Sequence, residues 1–174
     1  LISFMLGQLI TSKTRLRLLI KFFISQANRG YLNGLANEMG ESTNSIRKEL
    51  NHLFDAGYLN KIKSNNKIEY KVNIKHPLYE TLRKVVLKHL GLDDLVETVL
   101  DRMGNVERII IIGDYAKGID SGNIEVILVG EDLNFNYISQ LEEKIEKLIS
   151  RRVSFYLTSK PPSDKESITL YSKN

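Results

Sequence analysis

The chain contains no cysteine. That absence excludes a disulfide framework, a thiolate zinc site and a cysteine nucleophile together. It fits a reducing compartment, so a cytoplasmic location is expected. Long apolar runs are missing too. The longest, residues 1–10, is interrupted by Gln8 and is far too short to span a bilayer, so no membrane partner is expected. It also lacks the basic flank and small-residue cleavage site of a signal peptide. It reads as an apolar helix that packs on the body or on a second subunit. The first residue is Leu1 rather than Met, which fits a processed or trimmed start. Histidine is scarce: His52, His76 and His89 stand at no ligand-like spacing, and no metal site or other cofactor is expected. There is no internal repeat and no low-complexity tract.

What is present suffices for a packed core. Hydrophobic residues make up 42% of 174, enough for one medium domain or two small ones. The net charge of +4 hides a division. Residues 1–90 hold 15 Lys or Arg against 6 Asp or Glu, a net +9, whereas residues 91–174 hold 10 against 15, a net −5. A basic half joined to an acidic half implies modules with different partners.

In the first half, Ser12 is placed to cap a helix reaching about Ser25, with Leu16, Leu19, Ile20 and Phe23 as its buried stripe. Asn28, Arg29 and Gly30 read as a turn. A short helix over residues 32–39 puts Leu32, Leu35, Ala36 and Met39 on one face and stops at Gly40. Ser42 or Thr43 caps a third helix whose apolar face is Ile46, Leu50, Leu53 and Phe54, ending at Gly57. The period then changes. Ile68, Tyr70, Val72 and Ile74 alternate with polar residues as in a half-buried strand, residues 58–63 are its partner, and residues 64–67 are the turn. Pro77 opens a fourth helix that ends near Gly91.

Two helices joined through Gly40, the second amphipathic, have the spacing of a helix-turn-helix. The outer face of the second carries Thr43, Asn44, Ser45, Arg47, Lys48 and Asn51, side chains that reach base edges and phosphates. The hairpin adds Lys61, Lys63, Asn66 and Lys67, suited to the DNA backbone. The stretch from Glu41 to Leu59 resembles the recognition helix and first wing strand of arsenic-repressor-type and multiple-antibiotic-resistance-type regulators, in which a Ser-rich cap precedes Leu-x-x-Leu-x-x-Ala-Gly-Leu. The resemblance covers about residues 11–74. It implies a winged helix-turn-helix that binds double-stranded DNA, usually as a two-fold homodimer. The metal sites of those repressors depend on cysteines, which this chain does not have.

The second half reads as a helix over residues 93–103, a buried strand over 108–112, a Gly-rich turn from Gly113 to Gly122, a second buried strand over 124–129, an amphipathic helix over 135–149 with Ile138, Leu141, Ile145, Leu148 and Ile149 inward, a strand over 153–157 and a weak strand over 167–171. Residues 92–158 resemble minimal nucleotidyltransferases of the polymerase-beta superfamily, whose pattern is Gly-Ser after an apolar strand and Asp-x-Asp on the next. Alternate strand residues share a face, so such a pair aims two carboxylates at Mg²⁺ ions that activate the nucleophile and neutralise pyrophosphate. Here Gly113 is kept, Asp114 replaces the serine, Asn123 replaces the first carboxylate and Glu125 keeps the second. The strand at 153–157 supplies no third. Asp120 lies in the turn, off the strand face. The resemblance therefore implies a catalytically degenerate domain without catalytic residues, in which Gly113, Asp114, Lys117, Asn123 and Glu125 would meet any nucleotide-like ligand.

The expected architecture is α+β: a winged-helix domain with flanking helices over residues 1–91, then a small α/β nucleotidyltransferase-like domain over 92–174. The expected function is sequence-specific DNA binding by a transcriptional regulator. Its second domain would serve assembly or the sensing of a small-molecule or protein effector. Residues 1–10 or 78–90 would supply the dimer contact. The rivals are a nucleotidyltransferase acting on protein or RNA, and one member of a toxin–antitoxin-like pair.

Overall fold

A computed structural model describes residues 5–163 and 166–174; residues 1–4, most of the apolar start, and 164–165 lie outside it. The chain is mixed α+β and divides into two compact units, one of residues 6–86 and the other of residues 87–174 together with Met5. No helix among the described residues is long and apolar enough to cross a membrane.

The first unit runs α1 (Met5–Leu9), α2 (Lys13–Phe23), β1 (Arg29–Tyr31), α3 (Leu32–Met39), α4 (Thr43–Asp55), β2 (Leu59–Ser64), β3 (Lys67–Val72) and most of α5 (Tyr79–Leu90). Ser12 caps α2 through its hydroxyl, which accepts from the Arg15 amide. Gly40 closes α3 at φ 62°, a left-handed backbone that a side chain would strain. Asn65 and Asn66, both at positive φ, form the tight turn between β2 and β3. The core gathers Leu18, Phe22, Phe23, Leu35, Ile46 and Leu50.

Several local expectations need correction. The turn at Asn28–Gly30 instead begins a short strand, because residues 29–31 pair antiparallel with β3 (Gly30 opposite Tyr70). The buried stripe of α2 is centred on Leu18 and Phe22, with Leu16 and Leu19 only half-buried. Phe54 is 36% exposed: the last turn of α4 overhangs the core, and its ring is covered by the Lys61 ammonium at 3.9 Å. Ile68 and Ile74 are also exposed, one beside the hairpin tip and one beyond the end of β3.

The second unit runs from the end of α5 through α6 (Leu92–Arg102), β4 (Asn105–Ile112), α7 (Gly113–Ala116), β5 (Asn123–Glu131), α8 (Ile138–Ile149), β6 (Arg152–Thr158) and β7 (Ile168–Ser172). The sheet order is β6-β5-β4-β7, with β5 and β6 parallel and the other pairs antiparallel. Helices α6 and α8 pack together, α8 against β6 and α6 against β7. β5 is not equally covered on both faces: Ile124, Val126 and Leu128 are fully buried, whereas Glu125 and Ile127 are half-buried. On α8 the inner positions are Leu141, Ile145 and Ile149. Leu148 is 45% exposed, because it lies about 100° round the helix from Ile149.

A polar cluster around the buried Arg151 holds this unit together, drawn from segments distant in sequence. Arg151, 6% exposed, donates Nε and Nη2 to the Asp120 carboxylate, each at 2.8 Å. Its Nη1 reaches the carbonyls of His89, Leu90 and Ile149 at 3.3–3.4 Å, satisfying orphan carbonyls at the ends of α5 and α8. The Tyr115 hydroxyl donates to Asp120 and accepts the Gly122 amide at 3.0 Å. Burial raises the Asp120 pKa, but hydrogen bonds from Arg151 and Tyr115 more than offset that and hold it below the ordinary value. The buried His89 has no partner for Nδ1 among the described residues. Burial first, and the Arg151 guanidinium second, push its pKa down.

Replacing Arg151 strands Asp120, whose side chain is 27% exposed, so the cost falls below the ~3–5 kcal/mol of a fully buried pair. Arg151→Met is therefore expected to lower the thermal midpoint of the full chain by many degrees. The folded state holds His89 neutral, while the unfolded chain takes up its proton below about pH 6.5. Stability should thus be complete above that pH and fall as the pH drops toward 5. Melting curves across that range check this, and His89→Leu should flatten the slope.

Candidate nucleic-acid interface

Helix α4 carries the site. The Ser42 hydroxyl accepts the Ser45 amide at 3.1 Å and donates to the Ser45 hydroxyl at 2.9 Å, so Ser45 is engaged in the cap itself. Ile46, Glu49, Leu50 and Leu53 point inward. Thr43, Asn44, Arg47, Lys48 and Asn51 are exposed on the other side, and Arg47 Nη1 donates to Asn44 Oδ1 at 3.0 Å.

Beside α4 the β2–β3 hairpin closes a cleft of about 600 Å³. Arg47 and Asn51 form one wall, and Lys61, Asn66, Lys67, Ile68 and Tyr70 of the hairpin form the other. Residues 31–34, at the start of α3, complete it. Among the described residues no carboxylate lines this cleft. The structure thus brings five of the sequence-predicted residues to one place: Arg47, Asn51, Lys61, Asn66 and Lys67. Thr43, Asn44, Ser45, Lys48 and Lys63 do not line it. Tyr31 and Asn33 are members that sequence reasoning missed: Tyr31 ends a three-residue strand that has no periodicity to read, and Asn33 lies in the first turn of α3, whose place beside the hairpin is set by tertiary packing.

The charge of this unit is sorted by position. On α2, Arg15 pairs with Glu49 at 2.7 Å, Arg17 with Glu41 at 2.6 Å and Lys21 with Glu38 at 2.7 Å. Arg29 pairs with Glu69 at 3.0 Å. Arg47, Lys48, Lys61, Lys63 and Lys67 have no ion-pair partner among the described residues. Of these paired cations only Lys21 is buried, while the unpaired cations on α4 and the hairpin remain available to a polyanion.

Glu49 fixes how α4 is turned. It is 5% exposed and accepts from Arg15 Nε at 2.7 Å and from the Ser12 hydroxyl at 3.1 Å. Arg15 Nη2 also lies 3.2 Å from His52 Nδ1. Burial raises the Glu49 pKa, yet the Arg15 and Ser12 hydrogen bonds outweigh it and leave a net lowering.

The second candidate group, in the other unit, is less concentrated. Gly113 opens α7 at φ 69°, and a Cβ there would fall 2.1 Å from Glu125 Oε2, so only glycine lets that carboxylate sit against the turn. Tyr156 Oη lies 3.5 Å from Glu125 Oε1. Ser154 stands opposite Glu125 in register, and Arg152 stands opposite Asn123. Lys117 reaches Glu166 at 3.8 Å, and Asp114 is exposed. Gly113 and Glu125 are therefore brought together, while Lys117 is directed elsewhere. The described residues contain no group of three or more His, Cys, Asp or Glu placed to hold a metal ion.

No protein-family model matches the chain, and no curated protein matches it. Among solved structures it is similar to the AntR antimony-specific transcriptional repressor, at 24% identity and a TM-score of 0.37, over 56% of this chain and 78% of that one. A TM-score of that size is too low to argue from.

Because the Glu49 pKa is lowered in the fold, its contribution to stability is present above the ordinary carboxylate range and is lost as pH falls through the folded value. Glu49→Ala also leaves Arg15 and Ser12 without their acceptor. A loss of about 1.5–3 kcal/mol is expected near neutral pH, shrinking toward pH 3, as measured by denaturant titration.

Proposed function

We propose that the chain is a transcriptional regulator that binds double-stranded DNA sequence-specifically. In this reading residues 11–74 are a winged helix-turn-helix, α4 enters the major groove and the β2–β3 hairpin lies along the flanking backbone. The observation that carries it is the carboxylate-free cleft between α4 and the hairpin, where Arg47, Asn51, Lys61 and Lys67 meet. Phosphate contacts are supplied by lysines on the hairpin and base contacts by Arg47 and Asn51 on α4.

A two-fold homodimer belongs to the same reading. Leu78 is 46% and Val85 37% exposed, and with the half-buried Leu82 between them they form an apolar stripe along α5, near the 52% exposed Ile74. A second copy covering that stripe would present two copies of α4 to half-sites about one helical turn apart. The second unit serves assembly or effector sensing, and the −5 charge of residues 91–174 keeps it off the phosphates. Nucleotidyl transfer on protein or RNA is disfavoured: Glu125 is flanked in register by Ser154, and Asn123 by Arg152, so a pair of carboxylates for Mg²⁺ is missing there. A paired toxin–antitoxin-like role has no feature of its own in its favour.

Titrating the full chain against a selected duplex tests the DNA reading. Arg47→Ala should cost about 1–3 kcal/mol if the residue reads a base. Lys63→Ala should weaken all duplexes about equally and flatten the dependence on salt. Unchanged binding in both would remove α4 and the hairpin from the interface. For the dimer, light scattering is expected to report a two-fold mass for the wild type and a monomer for Val85→Glu. A wild type that is monomeric at tens of micromolar would sink the α5 contact.

A further inference from the structure

The exposed face of α4 offers two asparagines and one arginine that could each read a base, but their hydrogen bonding is unequal. Arg47 Nη1 already donates to Asn44 Oδ1 at 3.0 Å. The Asn51 side-chain amide makes no hydrogen bond to any described residue. Reading adenine takes both halves of an asparagine amide at once, the oxygen accepting from N6 and the nitrogen donating to N7. Asn44 has its oxygen committed to Arg47, whereas Asn51 has both halves available. Arg47, for its part, spends one of five N–H donors on Asn44 and keeps a fork for the O6 and N7 acceptors of guanine. It also lines the cleft with Asn51, so the two point the same way.

We propose that α4 reads a guanine through Arg47 and an adenine through Asn51, and that Asn44 is a positioning residue that aims the guanidinium. This rests on the DNA-binding reading above. The spacing follows from the helix. Arg47 and Asn51 are four residues apart, which sets their Cβ atoms about 5–6 Å apart. Stacked bases rise about 3.4 Å. The guanine and the adenine therefore lie within about two base-pair steps of each other in each half-site.

The two amides have distinct consequences. Loss of Asn51 removes a base contact. Loss of Asn44 leaves the Arg47 fork in place but untethered, so discrimination at the guanine falls while phosphate contacts persist.

The test is selection from a randomised duplex library with the full chain, followed by titration of the selected site and its single-base variants. The wild type should enrich a guanine and an adenine within two steps. Arg47→Ala should abolish preference at the guanine alone, and Asn51→Ala at the adenine alone. Asn44→Ala should reduce discrimination at that same guanine about five- to twentyfold, with the salt dependence unchanged. Added to Arg47→Ala it should have no further effect. Asn44→Asp, which keeps an acceptor, should retain the guanine preference even if overall affinity drops. A relaxed preference at a third position in Asn44→Ala, a uniform loss on all sequences, or no change would overturn the positioning role. An enriched motif without the guanine–adenine pair overturns the inference alone; no enriched motif at all overturns the DNA reading and the inference together.

Discussion

A buried carboxylate on the inner side of α4 sets the orientation on which the first unit depends. Glu49 is surrounded by core residues, where an unpartnered charge would be prohibitively costly. It is tolerated because Arg15 and the Ser12 hydroxyl meet it, and both come from the first turn of α2. The same serine oxygen that caps α2 thus also donates to the helix that forms the candidate interface. Rotating α4 by one residue, about 100°, would withdraw Glu49 from Arg15 and bury Arg47 or Lys48 instead. The face shown to solvent is thereby selected by the cost of every alternative, more than by any attraction outward.

That logic also explains why the total charge of the first unit is a poor guide to its surface. Arg15, Arg17, Lys21 and Arg29 count toward the excess but face carboxylates within the fold. Arg47, Lys61 and Lys67 of the cleft are among the cations that face no carboxylate. Lys61 is steadied instead by aromatic faces, 3.9 Å from the Phe54 centroid and 5.8 Å from that of Tyr70. This exposes Phe54 to partial solvent while ordering a lysine that would otherwise lose rotamer freedom on binding.

Much of this was legible in the residues, for identifiable reasons. The bounds of α3 and the caps of α2 and α4 follow from local rules: a hydroxyl before a helix, glycine after it, apolar residues at helical spacing. Such rules act within a few residues, and a single sequence displays them. The misplaced details all depend on contacts distant in sequence. β1 exists only because β3, about forty residues on, pairs with it. Leu18 and Phe22 outrank Leu16 and Leu19 because the other elements approach α2 from that side. Leu148 and Phe54 look like core by periodicity, but no apolar element closes over them. Five of the cleft residues were legible, yet Tyr31 and Asn33 could not be assigned to it before β1 and the start of α3 were placed beside the hairpin.

The Gly-rich turn of the second unit shows the same division with a chemical consequence. Asp120 is the acid in that turn that could have stood in for a missing metal carboxylate. Both of its oxygens are instead taken by Arg151, and one also accepts from Tyr115. To release it would leave a guanidinium buried against the helix ends of α5 and α8, a penalty of several kcal/mol. Glu125 sits against Gly113 with Ser154 beside it, so it cannot recruit a second carboxylate from its neighbours in the sheet. The turn keeps its shape through an internal ion pair and a tyrosine, with no ligand needed to organise it. A loop held in this way is suited to presenting a fixed surface. It is poorly suited to the charge neutralisation that phosphoryl chemistry requires, which favours the proposed assembly or sensing role for the acidic unit.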